Sequence, residues 1–549
     1  MNNYIIILKA LFKNKFRFSE SNSKGKKLAF FLLFGLVYLM VVAFAVSVIV
    51  LLKDVFLQFT VIVQKFYFFV LMSSAVVVLF FGIIHLISML YLSKDTDFYS
   101  MLPVKPSTVF FAKLSYVYLC EAAIVLAIAF PVLMVLGIVA KMWVWYYIIT
   151  ILTLLIVPVF PLVVAAIVAV PVMLIASKLK NRNVISLVFY MLLFGLFFSA
   201  YIYFIYLSSS SELTAESMTA MLNAMKAVEY ALYPYTVLAN AVCGISMYGL
   251  NMGASTVVAA GVFVGISAAL LVIIWFLAKL MYAQSAKANN QTDNSKAKVG
   301  EFKSTTSMRA LIKREYISSL RTTQVAFQCY VVLLLPVVMS IILSLMTKSS
   351  IVVGEDMEYI NNYLRIIPFC TLCAILSTVG NGASTTFSRE GTAFASLKVL
   401  PVDIETVVKA KVAAWTMLAV PVTIVSVVII NAMNFDLACM FLSFFSLVPI
   451  SVVFIIFGVL WDLKAPSLKW TDPMQAIKHN MHVFGGQMIM MTGGLISIFV
   501  STALFFVELQ SAVINAVFWA LIYSVLVIFA VVDFVLYKKV NEFYSRIEI

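Results

Sequence analysis

Charge is what this sequence has least of: Asp, Glu, Lys and Arg together make up 11% of its 549 residues, against about a quarter in a soluble domain. With 64% hydrophobic residues and a mean hydropathy of +1.07, the chain cannot hide its apolar surface behind a polar shell. It reads as a polytopic membrane protein with no stretch long enough for a separate soluble domain. No G-x-x-x-x-G-K-[ST] stretch occurs, so the backbone cradle and lysine that hold nucleotide phosphates are missing. Any energy from ATP has to come from another chain. Cysteine and histidine are also sparse, at six and three residues. Cys370-x-x-Cys373 lacks a second Cys pair or a nearby His to complete four ligands, and reads as packing. His85, His479 and His482 have no carboxylate frame. The sequence therefore offers no catalytic group, no metal centre and no cofactor bound by this chain.

What is present is a succession of apolar runs. Reading them between charged or Pro/Gly/Asn-rich breaks predicts twelve spans, near 28–52, 66–92, 114–140, 144–176, 184–207 and 254–282, then 323–347, 366–387, 412–434, 437–461, 481–507 and 513–537. The basic stretch to Lys27 precedes an apolar run too long for a signal h-region, so this run is expected to remain as the first span. The formal net charge of +14 is a matter of sidedness rather than of nucleic acid. Of the 38 basic residues, all but Lys53, Lys65, Lys141, Lys226, Lys348 and Arg365 fall on the side of the N-terminus. By the positive-inside rule both termini are cytoplasmic.

Residues 284–307 are polar, small and basic, as a flexible linker is, and divide the chain into halves at 1–283 and 308–549. Each half opens with a basic amphipathic stretch, 4–18 and 308–322, of the kind that lies in the headgroup plane. Lys9-Ala10-Leu11 with Lys13 answers Arg309-Ala310-Leu311 with Lys313. After the second span of each half, residues 102–113 match 400–411 at seven of twelve positions. Both segments follow a Ser-basic-acidic triplet, Ser93-Lys94-Asp95 and Ser388-Arg389-Glu390. The chain reads as a fused duplication, a common plan among transporters. In the second copy Pro401, Asp403 and Glu405 favour a helix start, so a short interfacial helix is expected there; a plain turn joining two spans is the alternative.

This order of basic in-plane helix, two spans, triplet, Leu-Pro-Val and Ala-Lys resembles the membrane subunits of ABC exporters of the type-two permease class. The loop from Asp462 to Trp470, with Ala476 and Lys478, is similar to the fused, double-length permeases of Gram-positive bacteria in that class. The resemblance implies an all-α bundle of about twelve transmembrane helices in two six-helix repeats, in a bacterial plasma membrane. It also implies coupling segments at 93–113 and 388–411 that dock on two copies of a separate P-loop ATPase carrying ATP and magnesium. The coupling residues carried over are Leu102, Pro103, Val104, Thr108 and Lys113, then Arg389, Glu390, Leu400, Pro401, Val402, Thr406 and Lys411. Lys105-Pro106 stands where the second copy has Asp403-Ile404, so the two docking surfaces differ in charge.

Residues 208–251 form a long outer connection in which Met218, Met221, Leu222 and Met225 repeat at helical spacing. A helix on the outer leaflet is one reading, and a lid over the exit path is the other, since that class carries an outer gate there. Glu121 is the chief ionisable group inside a span. A carboxyl at that depth needs a partner or a cavity, with Tyr116 or Tyr118 as candidate hydrogen-bond partners and substrate contact or proton coupling as functional alternatives. Gly261 and Gly265 have the spacing that lets helices approach closely. A hydrophobic or amphipathic cargo suits a pathway poor in charge. The rival is an ion-coupled secondary transporter with six plus six spans. A third reading, an intramembrane enzyme, lacks any pair of polar catalytic groups at a shared depth.

Overall fold

The computed structural model describes residues 3–15, scattered positions from 35 to 49, 60–87, 102–177, 182–209, 229–230, 232–248, 254–277, 305–320, 323–349, 358–432, 437–470, 476–477, 480–505 and 511–547, with residues 89, 90 and 99. The described residues are helical, without a strand. Continuous apolar runs satisfy every backbone group within the segment, which is what a bilayer demands. Nine helices among the described residues are long and apolar enough to cross a membrane. Of the other three expected spans, 28–52 falls almost wholly outside the described residues. The other two contain the shorter apolar helices Leu187–Ser199 and Gly265–Phe276.

The chain divides into two compact units. The first holds α1 (Asn3–Lys15), α2 (Thr60–Ile87), α3 (Pro106–Val139), α4 (Val144–Ile156), α5 (Val159–Ser177), then α7 (Tyr233–Tyr248) and α8 (Ala254–Leu277). Here α2 packs against α3, α5 and α7, and α1 lies on α3. Tyr4 anchors α1 by donating to Ser115 Oγ at 2.7 Å, and Phe12 meets Tyr116 edge-on at 5.0 Å.

The second unit takes most of α6 (Arg182–Ser209) together with everything from residue 298 onward. Tyr190 on α6 packs edge-on against Phe327 at 5.2 Å, and Phe198 and Ile202 pack against Ile342 and Leu345. The compact units thus differ from the halves that the linker marks out along the chain. The unit continues with α9 (Ser307–Leu320), α10 (Thr323–Ala326), α11 (Leu335–Ser349), α12 (Glu358–Leu376), α13 (Phe394–Val399), α14 (Ile404–Ala432), α15 (Leu437–Lys464), α16 (Met481–Phe505), α17 (Ser511–Tyr537) and α18 (Val540–Ser545). Its core gathers Trp415, Phe454, Phe457, Phe518, Phe529 and the Cys370–Cys373 pair.

Between α12 and α13 the backbone leaves the α-helix for three short 3₁₀ stretches, Ser377–Asn381, Ala383–Thr385 and Ser388–Ala393. Two glycines permit this path. A Cβ at Gly382 would lie 2.3 Å from the Trp415 ring, and Gly391 has φ +53° with the Trp470 ring 2.8 Å from where its Cβ would be.

A turn presented on a charged brace

Both expected coupling segments begin with the same backbone bend. The amide of Val104 donates to Leu102 O at 2.7 Å, as Val402 donates to Leu400 O at 2.8 Å. One turn later Thr108 donates to Lys105 O at 2.9 Å, and Thr406 to Asp403 O at 3.0 Å. The bend leaves apolar side chains in the open: Leu102 is 38% exposed, Val399 85% and Leu400 44%, and Pro103 and Pro401 are exposed as well.

The short separate helix expected after Leu400-Pro401-Val402 is instead the opening of a long one. The helices start at Pro106 and Ile404, eight residues before the spans that hydropathy marks at 114 and 412. Hydropathy stops at a lysine. Lys113 and Lys411 are nevertheless buried, at 0% and 4% exposure, because each amine finds acceptors inside. Lys113 Nζ donates to Met89 O at 2.7 Å and lies over the Tyr99 ring.

Lys411 enters a buried ionic cluster. Its Nζ donates to Glu315 Oε2 at 2.8 Å, to Glu390 Oε1 at 2.9 Å and to the carbonyl and hydroxyl of Thr386 at 3.2 Å. Arg389 donates to Glu315 Oε1 at 2.5 Å and to Gly382 O at 3.1 Å, and its guanidinium stacks on Trp415. Glu315 also accepts from Thr386 Oγ1 at 2.6 Å and from Trp415 Nε1 at 3.2 Å. Arg314 reaches the other oxygen of Glu390 at 2.5 Å. Burial by itself pushes the Glu315 carboxyl up, but Lys411 and Arg389 outweigh it and hold it at about 2. A cavity of ≈ 10 Å³ lies among Arg314, Glu315, Glu390 and Lys411, about the room one water needs. The cluster joins α9 to the segment that carries the turn.

Two further elements hold that segment. Asp462, at the end of α15, accepts from the amides of Phe387 at 2.6 Å and Ser388 at 2.9 Å and from the Ser388 hydroxyl. The same hydroxyl accepts from Ser467 N and Asn480 Nδ2, and Trp470 Nε1 donates to Ser388 O at 2.8 Å. On the other flank Lys398 donates to Ile547 O at 2.5 Å, Phe394 packs on Tyr544, and Tyr537 donates to Glu405 at 3.2 Å.

The structure therefore brings Arg389, Glu390 and Lys411 into one cluster and leaves Leu400, Pro401, Val402 and Thr406 on the bend above it. In the first unit, Leu102, Pro103, Val104, Thr108 and Lys113 share one bend and helix start. Sequence reading missed Glu315, although it is the lone acid of a basic stretch. Ser93, Lys94 and Asp95 lie outside the described residues, as do Met218, Met221, Leu222 and Met225 and residues 284–304 of the linker.

Inside the spans, Glu121 is 3% exposed and its partner is His85, whose Nδ1 lies 3.2 Å from Oε1. The expected tyrosines do other things: Tyr118 donates to Leu155 O at 2.7 Å, and the Tyr116 ring meets His85 edge-on. Nor is Glu121 the main buried acid. Asp462 is fully buried, and Asp533 on α17 is 6% exposed with neither oxygen hydrogen-bonded. Alanine-sized side chains at Gly261 and Gly265 would meet nothing within 4 Å, so no close helix approach occurs at either glycine among the described residues. Comparison with protein-family models, with curated proteins and with solved structures gives no match.

Proposed function

We propose that this chain is the membrane subunit of an ATP-driven exporter of the type-two ABC permease class. In this reading twelve spans in two six-span repeats form a pathway for a hydrophobic or amphipathic cargo in a bacterial plasma membrane. Two copies of a separate ATPase, carrying ATP and magnesium, dock on 102–113 and 400–411. ATP-driven closure of the pair moves the turns and switches access.

One observation carries the reading: an exposed Leu-Pro bend with the same hydrogen bonds in both units, rooted by a buried lysine each time. Exposed apolar side chains on a loop suit a protein partner. The buried ionic cluster supplies the stiffness that force transmission requires, since a partner shifts an equilibrium only through differential contacts with its two states.

The test is an affinity pull-down from native membranes in mild detergent, with mass spectrometry of copurifying chains and an ATP hydrolysis assay on the eluate. A stoichiometric P-loop ATPase is expected, lost from Leu102→Asp/Leu400→Asp. A single chain without ATPase activity overturns the reading. It would favour the ion-coupled carrier, for which the buried Glu121 with its partly buried partner His85, and Asp533, are the specific observations.

A further inference from the structure

The two helices expected to lie in the headgroup plane share a feature that sequence similarity alone does not show. At about 100° per residue, Ile5, Lys9, Lys13 and Ile6 of α1 fall within an arc of about 100°. These four are exposed, Ile5 at 54% and Ile6 at 45%. The opposite side is buried, with Ile7 at 5% and Leu11 at 1%. On α9 the same construction gives Arg309, Leu320, Lys313 and Ile317 within an arc of about 80°. They too are exposed, Ile317 at 57% and Leu320 at 49%, while Glu315 and Ser319 are buried behind them.

Each face therefore mixes two cations with two large aliphatics, which neither water nor hydrocarbon accommodates well. Acid is the missing ingredient. α1 contains none, and the single acid of α9, Glu315, is turned inward and consumed by Arg389 and Lys411. The outward charge of both faces is purely positive.

We propose that these two faces are binding surfaces for anionic phospholipid, the cations meeting headgroup phosphates and the aliphatics entering the adjoining acyl region. Aliphatic side chains next to lysine stems let the ammonium groups snorkel to the phosphate level. The occupant is lipid rather than a second protein because one face that combines two cations with two aliphatics, and no acid, matches a headgroup boundary in both units independently.

The test uses the full chain reconstituted in nanodiscs of phosphatidylcholine alone or mixed with phosphatidylglycerol. The retained lipid is then extracted and quantified by mass spectrometry after detergent exchange at low and high salt. The parent chain is expected to enrich phosphatidylglycerol over the bulk ratio, with the enrichment shrinking as salt rises. Lys9→Gln/Lys13→Gln and Arg309→Gln/Lys313→Gln should each lower it, by about five-fold per cation removed. Lys9→Arg/Lys13→Arg should keep it. Should a double variant not fold, the single Lys13→Gln and Lys313→Gln serve, since both sites are exposed. Enrichment unchanged in the Gln variants overturns the proposal. So does enrichment that persists while a copurifying protein is lost, which would make the faces protein contacts.

Discussion

The two Leu-Pro-Val bends have one backbone and two kinds of support. In the second unit, α9 is tied to the bend by buried charges, Glu315 to Arg389 and Lys411 and Arg314 to Glu390. In the first, α1 is held by Tyr4 on Ser115 and by Phe12 against Tyr116. The matching registers explain part of this. Ala10-Leu11 aligned with Ala310-Leu311 puts Lys15 where the other copy has Glu315, and Lys113 aligned with Lys411 puts Val117 where the other has Trp415. A counterion and its indole donor are thus present in one copy only. The bend is set locally by Pro and the residues around it; what stiffens it depends on which helix packs alongside.

Breaking the electrostatic support should have the largest effect. Glu315→Ala leaves Arg389 and Lys411 buried without their shared carboxylate, a loss of about 3–5 kcal/mol, seen as a large drop in the unfolding midpoint in detergent. Lys13→Ala, on the exposed face of the other in-plane helix, should stay within about 0.5 kcal/mol. Equal destabilisation by the two would erase the contrast.

Asp462→Ala comes next. It strips one acceptor from two buried amides and a hydroxyl, at about 1–3 kcal/mol in total once water enters the space left by the carboxyl, while Asp462→Asn keeps one oxygen and should cost less. Gly391→Ala should cost about 1–3 kcal/mol for its positive φ, plus the clash with Trp470. By thermal unfolding, Gly391→Ala should cost less in a Trp470→Ala background than in the parent, by the clash portion alone.

Acid sharpens the comparison further. Because Glu315 is held near 2 in the folded chain against an ordinary value of 4.5, its contribution is complete above 4.5 and is lost as pH falls toward 2. The parent should lose stability across that window, and Glu315→Gln should show a shallower slope there. The smallest effect on stability belongs to the bend itself. Leu400→Ser should change it by no more than about 0.5 kcal/mol, yet lower copurification of an ATPase if the proposed docking holds.

How much of this was legible is clearest at the lysines. Hydropathy ends both spans at Lys113 and Lys411, whereas both helices run through them, because a lysine with internal acceptors is no longer a break. Glu390 and Lys411 were singled out by motif, and they meet at 2.9 Å. Glu315 was not, since nothing in its neighbours along the chain says that two cations await it. Glu121 was recognised as a buried acid, but its partner His85 lies on a different span. Asp533 was not singled out at all; it is buried on α17 with neither oxygen hydrogen-bonded.

Composition alone determined that this chain belongs in a membrane as apolar helices, because hydropathy over a window of some twenty residues decides that question. Local chemistry likewise determined the two Leu-Pro bends, since proline and its neighbours set their own dihedrals. Tertiary structure decided that α6 joins the second unit, that Ser467, Trp470 and Asn480 close over Ser388, and that one bend stands on an ion cluster while the other stands on aromatic contacts. Those outcomes depend on pairings between residues far apart in the chain, and burial changes a charge from a break in a helix into the point that locks two helices together.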